Sequence, residues 1–258
     1  MRLFKELWQY RDMIISLVKR DLKSRYKGSV LGFFWMFLNP LLQLCVYTIV
    51  FSTIMRNGIE DFYLFLFVAL VPWQFFSTCL TAGAGVVFSQ KEMVKKIYFP
   101  REVLPLSFTL SQFVNMLLCF VVVIAVVLFS GVKINLLAWL YLPLIMLIEF
   151  VLCIGIVYLV SALNVYFRDL EYILGIFSMA WMYLTPIIYS VDMVPEKFVK
   201  LFYLNPMTSV TIAYRDVLYY GRIPEIGTLT NAIVMGIVIL IVGQITFGRL
   251  QKHFVEEL

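Results

Sequence analysis

Runs of about twenty consecutive apolar residues recur along this chain, and they constrain its fold more than any other feature. A helix needs about 20 apolar residues to cross the hydrocarbon core of a bilayer, whereas a barrel strand needs about 10 residues of alternating polarity. The runs therefore predict an all-α integral membrane protein. Six of them qualify as transmembrane spans: residues 31–55, 62–88, 104–130, 139–164, 172–189 and 229–250.

The composition agrees with this class. Apolar residues make up 62% of the chain and charged residues 14%, against about a quarter charged in a soluble domain. The net charge of +5 comes mostly from basic residues that flank the spans, so it indicates membrane topology and not nucleic-acid binding. The cysteines Cys45, Cys79, Cys119 and Cys153 fall one to a span without a CxxC motif, a pattern typical of packing residues.

Residues 4–25 precede the first span and have the pattern of an amphipathic helix that lies on the membrane surface. Apolar side chains recur at helical spacing on one side, with charged and polar ones opposite. A basic cluster ends the segment: Arg20, Lys23, Arg25 and Lys27. Basic residues clustered before a first span hold that flank in the cytoplasm. They are also candidates for binding the phosphates of a lipid anchor, because an arginine fork suits phosphate oxygens.

The distribution of basic residues predicts the orientation of the chain. With six spans threaded in order, fifteen of the 21 Lys and Arg residues fall on one side of the membrane. This excess predicts that both termini lie in the cytoplasm. Since the sequence has no internal repeat or linker, residues 1–258 are expected to form one transmembrane domain. It would comprise a surface helix over 4–25 and a six-span bundle over 31–250.

Residues 190–228, before the last span, contain two apolar clusters that are each too short to cross a bilayer. Asn205 and Pro206 separate the two clusters. The pattern predicts two short re-entrant helices that enter the outer leaflet and return, and a surface loop with interfacial aromatic residues is the alternative. Arg215 and Asp216 in the second cluster are expected to form a local ion pair.

Four segments of the chain carry a specific family resemblance. They are RYKGSVLGFFWMFLNPL (25–41), KKIYFPREVLPLS (95–107), NVYFRDLEYIL (164–174) and NPMTSVTIAYRD (205–216). In this order they resemble the permease family of ABC exporters for lipid-linked polysaccharides, which includes the O-antigen permease Wzm, the teichoic-acid permease TarG and capsule relatives. The resemblance implies a homodimer around a channel in a bacterial inner membrane. It also implies two copies of a separate ABC ATPase subunit, which would bind ATP and Mg.

The resemblance further implies roles for particular segments. The N-terminal helix would be an interface helix, and residues 89–100 a cytoplasmic gate or coupling helix. The first and fifth spans would border a lateral opening for the lipid anchor of the polysaccharide, for which O-antigen is favoured over teichoic acid and capsule. Residues 195–220 would form an outer re-entrant gate, with the candidate residues Asn205, Pro206, Tyr214 and Arg215.

The sequence contains no GxxxxGK[ST] phosphate-binding loop. ATP hydrolysis would need a partner, so the chain is expected to be a transport subunit without catalytic, cofactor or metal sites of its own. The charged segment 90–102 is the candidate ATPase-coupling surface, and an ordinary charged loop is the alternative. Its candidate residues are Lys91, Glu92, Lys95, Lys96, Tyr98 and Arg101.

Aromatic residues form 17% of the chain, and several lie inside spans: Trp35, Tyr47, Trp181 and Tyr183. Flat rings with a hydroxyl or indole group give a sugar polymer contacts along which it can slide. These four residues are candidates for a channel lining, with core packing as the alternative for each.

Glu149 is the carboxylate deep in the fourth span, and it supports a rival function. Intramembrane carboxylates are costly and usually functional, so a proton-coupled secondary transporter is the alternative reading. That function normally uses several ionisable relay groups, and the spans offer no second one at similar depth. A membrane-embedded transferase acting on lipid-linked sugars is a third hypothesis, with the carboxylate pairs Asp169/Glu171 and Asp192/Glu196 as its candidates.

Overall fold

A computed structural model describes residues 2–24, 31–50 and 59–258. Throughout these ranges the ordered elements are helices, without strands, which confirms the predicted all-α class. The helices are α1 Arg2–Gln9, α2 Arg11–Ser24, α3 Trp35–Thr48, α4 Phe62–Thr81, α5 Val86–Ser89, α6 Lys91–Lys96, α7 Val103–Phe129, α8 Leu136–Trp139, α9 Leu142–Tyr166, α10 Leu170–Tyr183, α11 Glu196–Phe202, α12 Pro206–Leu218, α13 Ile226–Leu250 and α14 Phe254–Glu257.

Four of these helices are long and apolar enough to cross a membrane. α4, α7, α9 and α13 have 20, 27, 25 and 25 residues. At a rise of about 1.5 Å per residue, each covers the hydrocarbon core of about 30 Å. They correspond to the predicted second, third, fourth and sixth spans. α3 covers part of the predicted first span, whose residues 51–55 lie outside the described ranges.

The N-terminal segment forms two helices where the amphipathic pattern predicts one. α1 ends at Gln9, α2 begins at Arg11, and the N–H of Tyr10 bonds to the carbonyl of Leu7 at 3.1 Å. The same N–H also lies 3.3 Å from the carbonyl of Glu6, so the interruption is confined to one turn, and the surface helix over 4–25 stays a prediction. α2 then packs along α7 and buries Leu17 in a cluster with α6, α9 and α14.

α4 occupies the centre of the helix bundle. Its residues 64–73 are all buried, and it contacts α3, α7, α9, α10 and α12. The helix ends at Thr81, and a turn over residues 82–85 separates it from α5. The predicted span 62–88 is therefore not one continuous helix. The small residues of the turn let it approach α9, where a Cβ on Gly83 would lie 3.0 Å from Cγ2 of Val157.

Among the described helices, α9 and α13 form the most extensive pair. Gly155 on α9 and Gly243 on α13 lie at their crossing. A Cβ on Gly155 would lie 2.6 Å from the backbone N and Cα of Leu240, and a Cβ on Gly243 would overlap the Gly155 carbonyl. Only glycines let two backbones come this close, as is common in helix pairs within membranes.

α10 is shorter than the predicted fifth span. The prediction extends it through a kink near Pro186 to residue 189, but the helix ends at Tyr183. Proline lacks an N–H and disfavours a helical conformation in the preceding residue, here Thr185, so the helix stops instead of bending. Its 14 residues give a length of about 21 Å at 1.5 Å per residue, short of a bilayer core. The count of six spans stays a prediction.

Two short helices, α11 and α12, do precede the last span, as predicted. The Asn205–Pro206 pair lies at the turn between them. The side-chain oxygen of Asn205 accepts a hydrogen bond from the backbone N–H of Met207 at 3.0 Å, and Pro206 occupies the first turn of α12, where its missing N–H costs nothing. Whether the two helices re-enter the membrane stays a prediction.

Candidate functional site

The charged segment after α5 forms a short exposed helix, α6. Lys91, Glu92, Lys95 and Lys96 are all exposed on it, whereas Val94 is buried. Glu92 and Lys96 form an ion pair at 2.9 Å. The hydrogen bond from Lys96 and its positive charge lower the pKa of Glu92, so this pair stays charged at neutral pH. The predicted coupling surface is thus a short helix with exposed charged side chains, and the buried side chain of Val94 attaches it to the bundle.

The residues after α6 connect this helix to the end of α13. Tyr98 is 96% exposed, and Phe99 beside it is buried. The guanidinium of Arg101 donates to the carbonyl of Gln251, and Gln251 Nε2 donates to the carboxylate of Glu102 at 2.6 Å. A groove of about 780 Å³ lies between α1, this segment and residues 248–255. Four of the six coupling candidates border this groove: Lys95, Lys96, Tyr98 and Arg101.

The basic cluster is divided by the structure. Arg20 lines a cavity of about 320 Å³ between α2, α5 and α7, with Asp21, Gln90 and Glu171 also on its wall. Asp21 accepts a hydrogen bond from Ser111 of α7, which holds α2 against the bundle. Lys23 is exposed. The two remaining candidates, Arg25 and Lys27, lie outside the described residues.

The four aromatic candidates occupy different environments. Trp181 packs edge-on against Phe76 at 5.1 Å between ring centroids and also contacts Phe177, so most of its ring belongs to the core. Trp35 and Tyr47 on α3 are half-buried, and Tyr183 at the end of α10 is 65% exposed. The structure does not bring these four rings into one cluster, and their role as a channel lining stays a prediction.

The start of α12 is joined to the end of α10. The amide of Asn205 donates to Oγ1 of Thr185 at 2.8 Å and to the carbonyl of Leu184 at 3.2 Å. These carbonyl and hydroxyl groups follow the end of α10, where no further turn of helix binds them. Asn205 therefore holds the predicted outer gate against the end of α10.

Arg215 does not pair with Asp216, so the predicted local ion pair is wrong. Its buried guanidinium donates to the carbonyls of Phe65, Pro186, Ile187 and Tyr189 and lies 3.5 Å from the centroid of the Phe65 ring. On a helix, adjacent side chains point about 100° apart, so neighbours in sequence do not face each other. Asp216 instead pairs with Arg222 at 2.7 Å.

Glu149 is fully buried between α9 and α12. Its Oε2 accepts a hydrogen bond from the hydroxyl of Tyr214 at 2.7 Å. Among the described residues its Oε1 has no hydrogen-bond partner. The predicted gate residue Tyr214 is thus a packing partner of Glu149, and the pair links α9 to α12.

The carboxylate pairs of the transferase hypothesis are exposed, Asp169 and Glu171 at the start of α10 and Asp192 and Glu196 at or just before the start of α11. Glu171 borders Gly85 at the cavity near α5, and Asp192 accepts a hydrogen bond from Ser190 at 2.9 Å. Within the described parts of the chain, no three His, Cys, Asp or Glu side chains are placed to hold a metal ion.

A polar cleft inside the bundle was not predicted. Its volume is about 390 Å³, and it lies between α3, α4 and α7. Three pairs of amide or hydroxyl side chains line it: Asn39 and Gln43, Gln74 and Thr78, and Gln112 and Asn115. Each pair is spaced three or four residues apart in an otherwise apolar helix, so each lies on one helix face. Each spacing is visible in the sequence, but only the fold brings the three pairs together.

Membrane-length helices, a polar cleft among them and an exposed charged helix at one end define a multi-pass membrane transport protein. The chain belongs to the ABC-2 type transporter family, whose model matches residues 13–219.

Individual relatives are similar over nearly their whole length. The "O-antigen export system permease protein RfbA" of Myxococcus xanthus is 34% identical, and the alignment covers 100% of this chain and 99% of the relative. A protein of the same name from Klebsiella pneumoniae is also 34% identical, with 95% and 94% covered. The "Polysialic acid transport protein KpsM" of Escherichia coli is 22% identical, with 88% and 89% covered.

Proposed function

We propose that this chain is the transmembrane subunit of an ATP-driven ABC exporter that moves a lipid-linked polysaccharide across a bacterial inner membrane. One observation carries the proposal: the similarity to relatives named O-antigen export permeases extends over the whole chain at 34% identity. The relative named for polysialic acid transport is 22% identical. O-antigen is therefore the favoured polymer, ahead of capsule and teichoic acid.

The proposed assembly is a homodimer with two copies of a separate ABC ATPase subunit. The short helix α10 supports it. At about 21 Å this helix is shorter than the hydrocarbon core, so as a span it would leave a backbone end at membrane depth, where such ends are stable only within protein or beside water. Yet Ile176, Met179 and Tyr183 are exposed on it in the single protomer. In the proposed dimer, the second copy would cover the exposed apolar side chains of α10, and a water-filled channel beside the helix would hydrate its backbone end.

The exposed helix α6 is the proposed ATPase contact. Its charged residues Lys91, Glu92, Lys95 and Lys96 are exposed. Lys95 and Lys96, with Tyr98 and Arg101 after them, border the groove beside α1 and the end of α13. The basic residues support a cytoplasmic location for this end of the bundle, and both termini would lie on the same side. ATP and Mg would be bound by the partner subunit.

Arg20 is the proposed contact for the anchor of the substrate. It lines a cavity beside α2, the helix that is predicted to lie at the membrane surface. A phosphate group of a lipid carrier at that level would find a guanidinium with suitable donors. Lys23, Arg25 and Lys27 would add positive charge near the same entrance.

The experiment is a deletion of the gene in the source organism, followed by complementation. Surface polysaccharide is expected to disappear and to return with the unchanged chain, and a P-loop ATPase is expected to co-purify with it. The purified chain alone should hydrolyse no ATP above background. Surface polymer at the normal level in the deletion strain contradicts the proposed function.

Charge reversal tests the coupling surface. The double variant Lys91→Glu/Lys95→Glu should lose most of the co-purifying ATPase and of the export while keeping its thermal stability, because both side chains are exposed. The matched control is Lys197→Glu/Lys200→Glu, since those exposed lysines lie on α11 at the opposite end. Equal loss of ATPase in both double variants would reject α6 as the docking helix.

A further inference from the structure

We propose that the cleft between α3, α4 and α7 is a binding site for the sugar hydroxyls of the transported polymer. The inference deepens the proposed function and depends on it, because it assumes that the substrate is a carbohydrate. It concerns amide side chains inside the spans, and it is independent of the aromatic candidates.

The cleft lies within the membrane-spanning part of the protomer. Gln112 is nine residues from the start of α7, or about 14 Å along its axis, and Gln43 is about 12 Å from the start of α3. Polar side chains at this depth are costly against lipid, so their presence indicates an aqueous or polar surrounding. A volume of about 390 Å³ is within the range of small-ligand sites, about 300–1,000 Å³.

The chemistry of the lining suits hydroxyl groups. A Gln or Asn amide carries both donors and acceptors, and a sugar hydroxyl can do the same, so either partner can adapt to the other. The remaining wall is apolar and includes Val71, Phe75 and Met116. Sugar rings have apolar C–H faces that pack against such surfaces. Among the described residues that line the cleft none is ionised, which fits a neutral polymer better than a charged one.

Gln112 is the residue that distinguishes a binding site from interhelical packing. Gln43 and Gln74 bond to each other across α3 and α4, as structural amides in membranes do. The side chain of Gln112 is buried with an exposed fraction of 3%, and its Nε2 makes no hydrogen bond to any described residue. A buried donor left without a partner destabilises the fold, so its presence in a polar cleft indicates a ligand or water that completes it.

The first test separates binding from stability with the variant Gln112→Met, which keeps the side-chain length and removes the amide. If the amide binds substrate, export should fall by up to about ten-fold, the effect of one lost hydrogen bond, while the melting temperature of the purified complex stays equal or rises. The matched control is Gln244→Met, which removes an exposed amide from α13 outside the cleft. Unchanged export, or a loss of export together with a lower melting temperature, overturns the proposal.

The second test uses a photoreactive phenylalanine analogue in cells that make the polymer. Placed at Gln43, which is exposed at the mouth of the cleft, it should capture polysaccharide; placed at Gln244, it should not. Position 183 at the end of α10 serves as a separate channel probe. Capture at 183 without capture at 43 rejects the cleft and leaves the proposed function intact. Capture at none of these positions, with surface polymer unaffected by deletion of the gene, rejects both.

Discussion

Tyr214 on α12 donates a hydrogen bond to Glu149 on α9, with 2.7 Å between its Oη and the Oε2 of the carboxylate. This bond joins the first third of the membrane-length helix α9 to the short helix of the predicted outer gate. The carboxylate therefore has a structural partner within the fold, and the two proposed uses of Glu149, packing and proton transport, make opposite predictions.

Replacement of Glu149 by Gln should leave export close to normal. The amide keeps the shape of the carboxylate and an oxygen that accepts the Tyr214 hydroxyl. Glu149→Leu should destabilise the protein by about 1–3 kcal/mol, because the buried hydroxyl then has no acceptor. Export and melting temperature of both variants are the measurements. Abolished export in the Gln variant at normal expression, with export in the parent dependent on the proton gradient, would favour the secondary transporter.

Replacement of Arg215 by Lys should destabilise the protein by at least about 2 kcal/mol. The guanidinium fork reaches carbonyls on two chain segments, near Phe65 and at 186–189, and a single ammonium cannot satisfy all of them. The melting temperature in detergent is the measurement. Arg222→Lys is the control, because its side chain is largely exposed. A similar change in both variants would show that the carbonyl contacts of Arg215 contribute little.

Replacement of Gly155 by Ala should separate α9 from α13. The added Cβ would lie 2.6 Å from backbone atoms of Leu240, closer than atoms can approach, so the helices must shift. We expect a loss of at least about 1 kcal/mol, typical of overpacking, and reduced export. Gly227→Ala is the control, since a Cβ there meets no heavy atom within 4 Å. Equal melting temperatures of the two variants would contradict close packing at this crossing.

Single cysteines at positions 198–222 should report whether α11 and α12 face the outside. In a background without the four native cysteines, they should react with a membrane-impermeant thiol reagent added to intact cells. Positions near Asn205 should react slowly at rest and faster during transport, because the paired gates would cover them in a closed dimer. Reaction of these positions only from the cytoplasmic side would show that the segment crosses the bilayer, and the six-span topology would be wrong.

Hydropathy alone predicted the long helices closely. The predicted third span, 104–130, differs from α7 by one residue at each end, and the sixth differs from α13 by three residues at its start. Such helices are fixed by local composition, because in a bilayer each must satisfy its own backbone. The cap at Asn205 was also predictable, because its side chain bonds to a residue only two positions away in the sequence.

Long-range contacts account for most of what the sequence did not predict. Arg215 bonds to the carbonyl of Phe65, 150 residues away, and adjacency alone suggested Asp216. The cleft needs polar pairs from α3, α4 and α7, and none of the three pairs indicates a site by itself. The end of α10 at Tyr183 and the turn at Tyr10 depend on backbone geometry that an apolar pattern does not encode.

The bonds of Gln251 to Arg101 and Glu102 have a mechanical consequence. They connect the segment after α6 to the end of α13, and the close crossing at Gly155 and Gly243 joins α13 in turn to α9. We therefore expect a displacement of α6 to be transmitted through these contacts to α13 and α9. The Glu149–Tyr214 bond connects the same helix pair to α12, so a continuous series of contacts runs from the segment after α6 to the predicted outer gate.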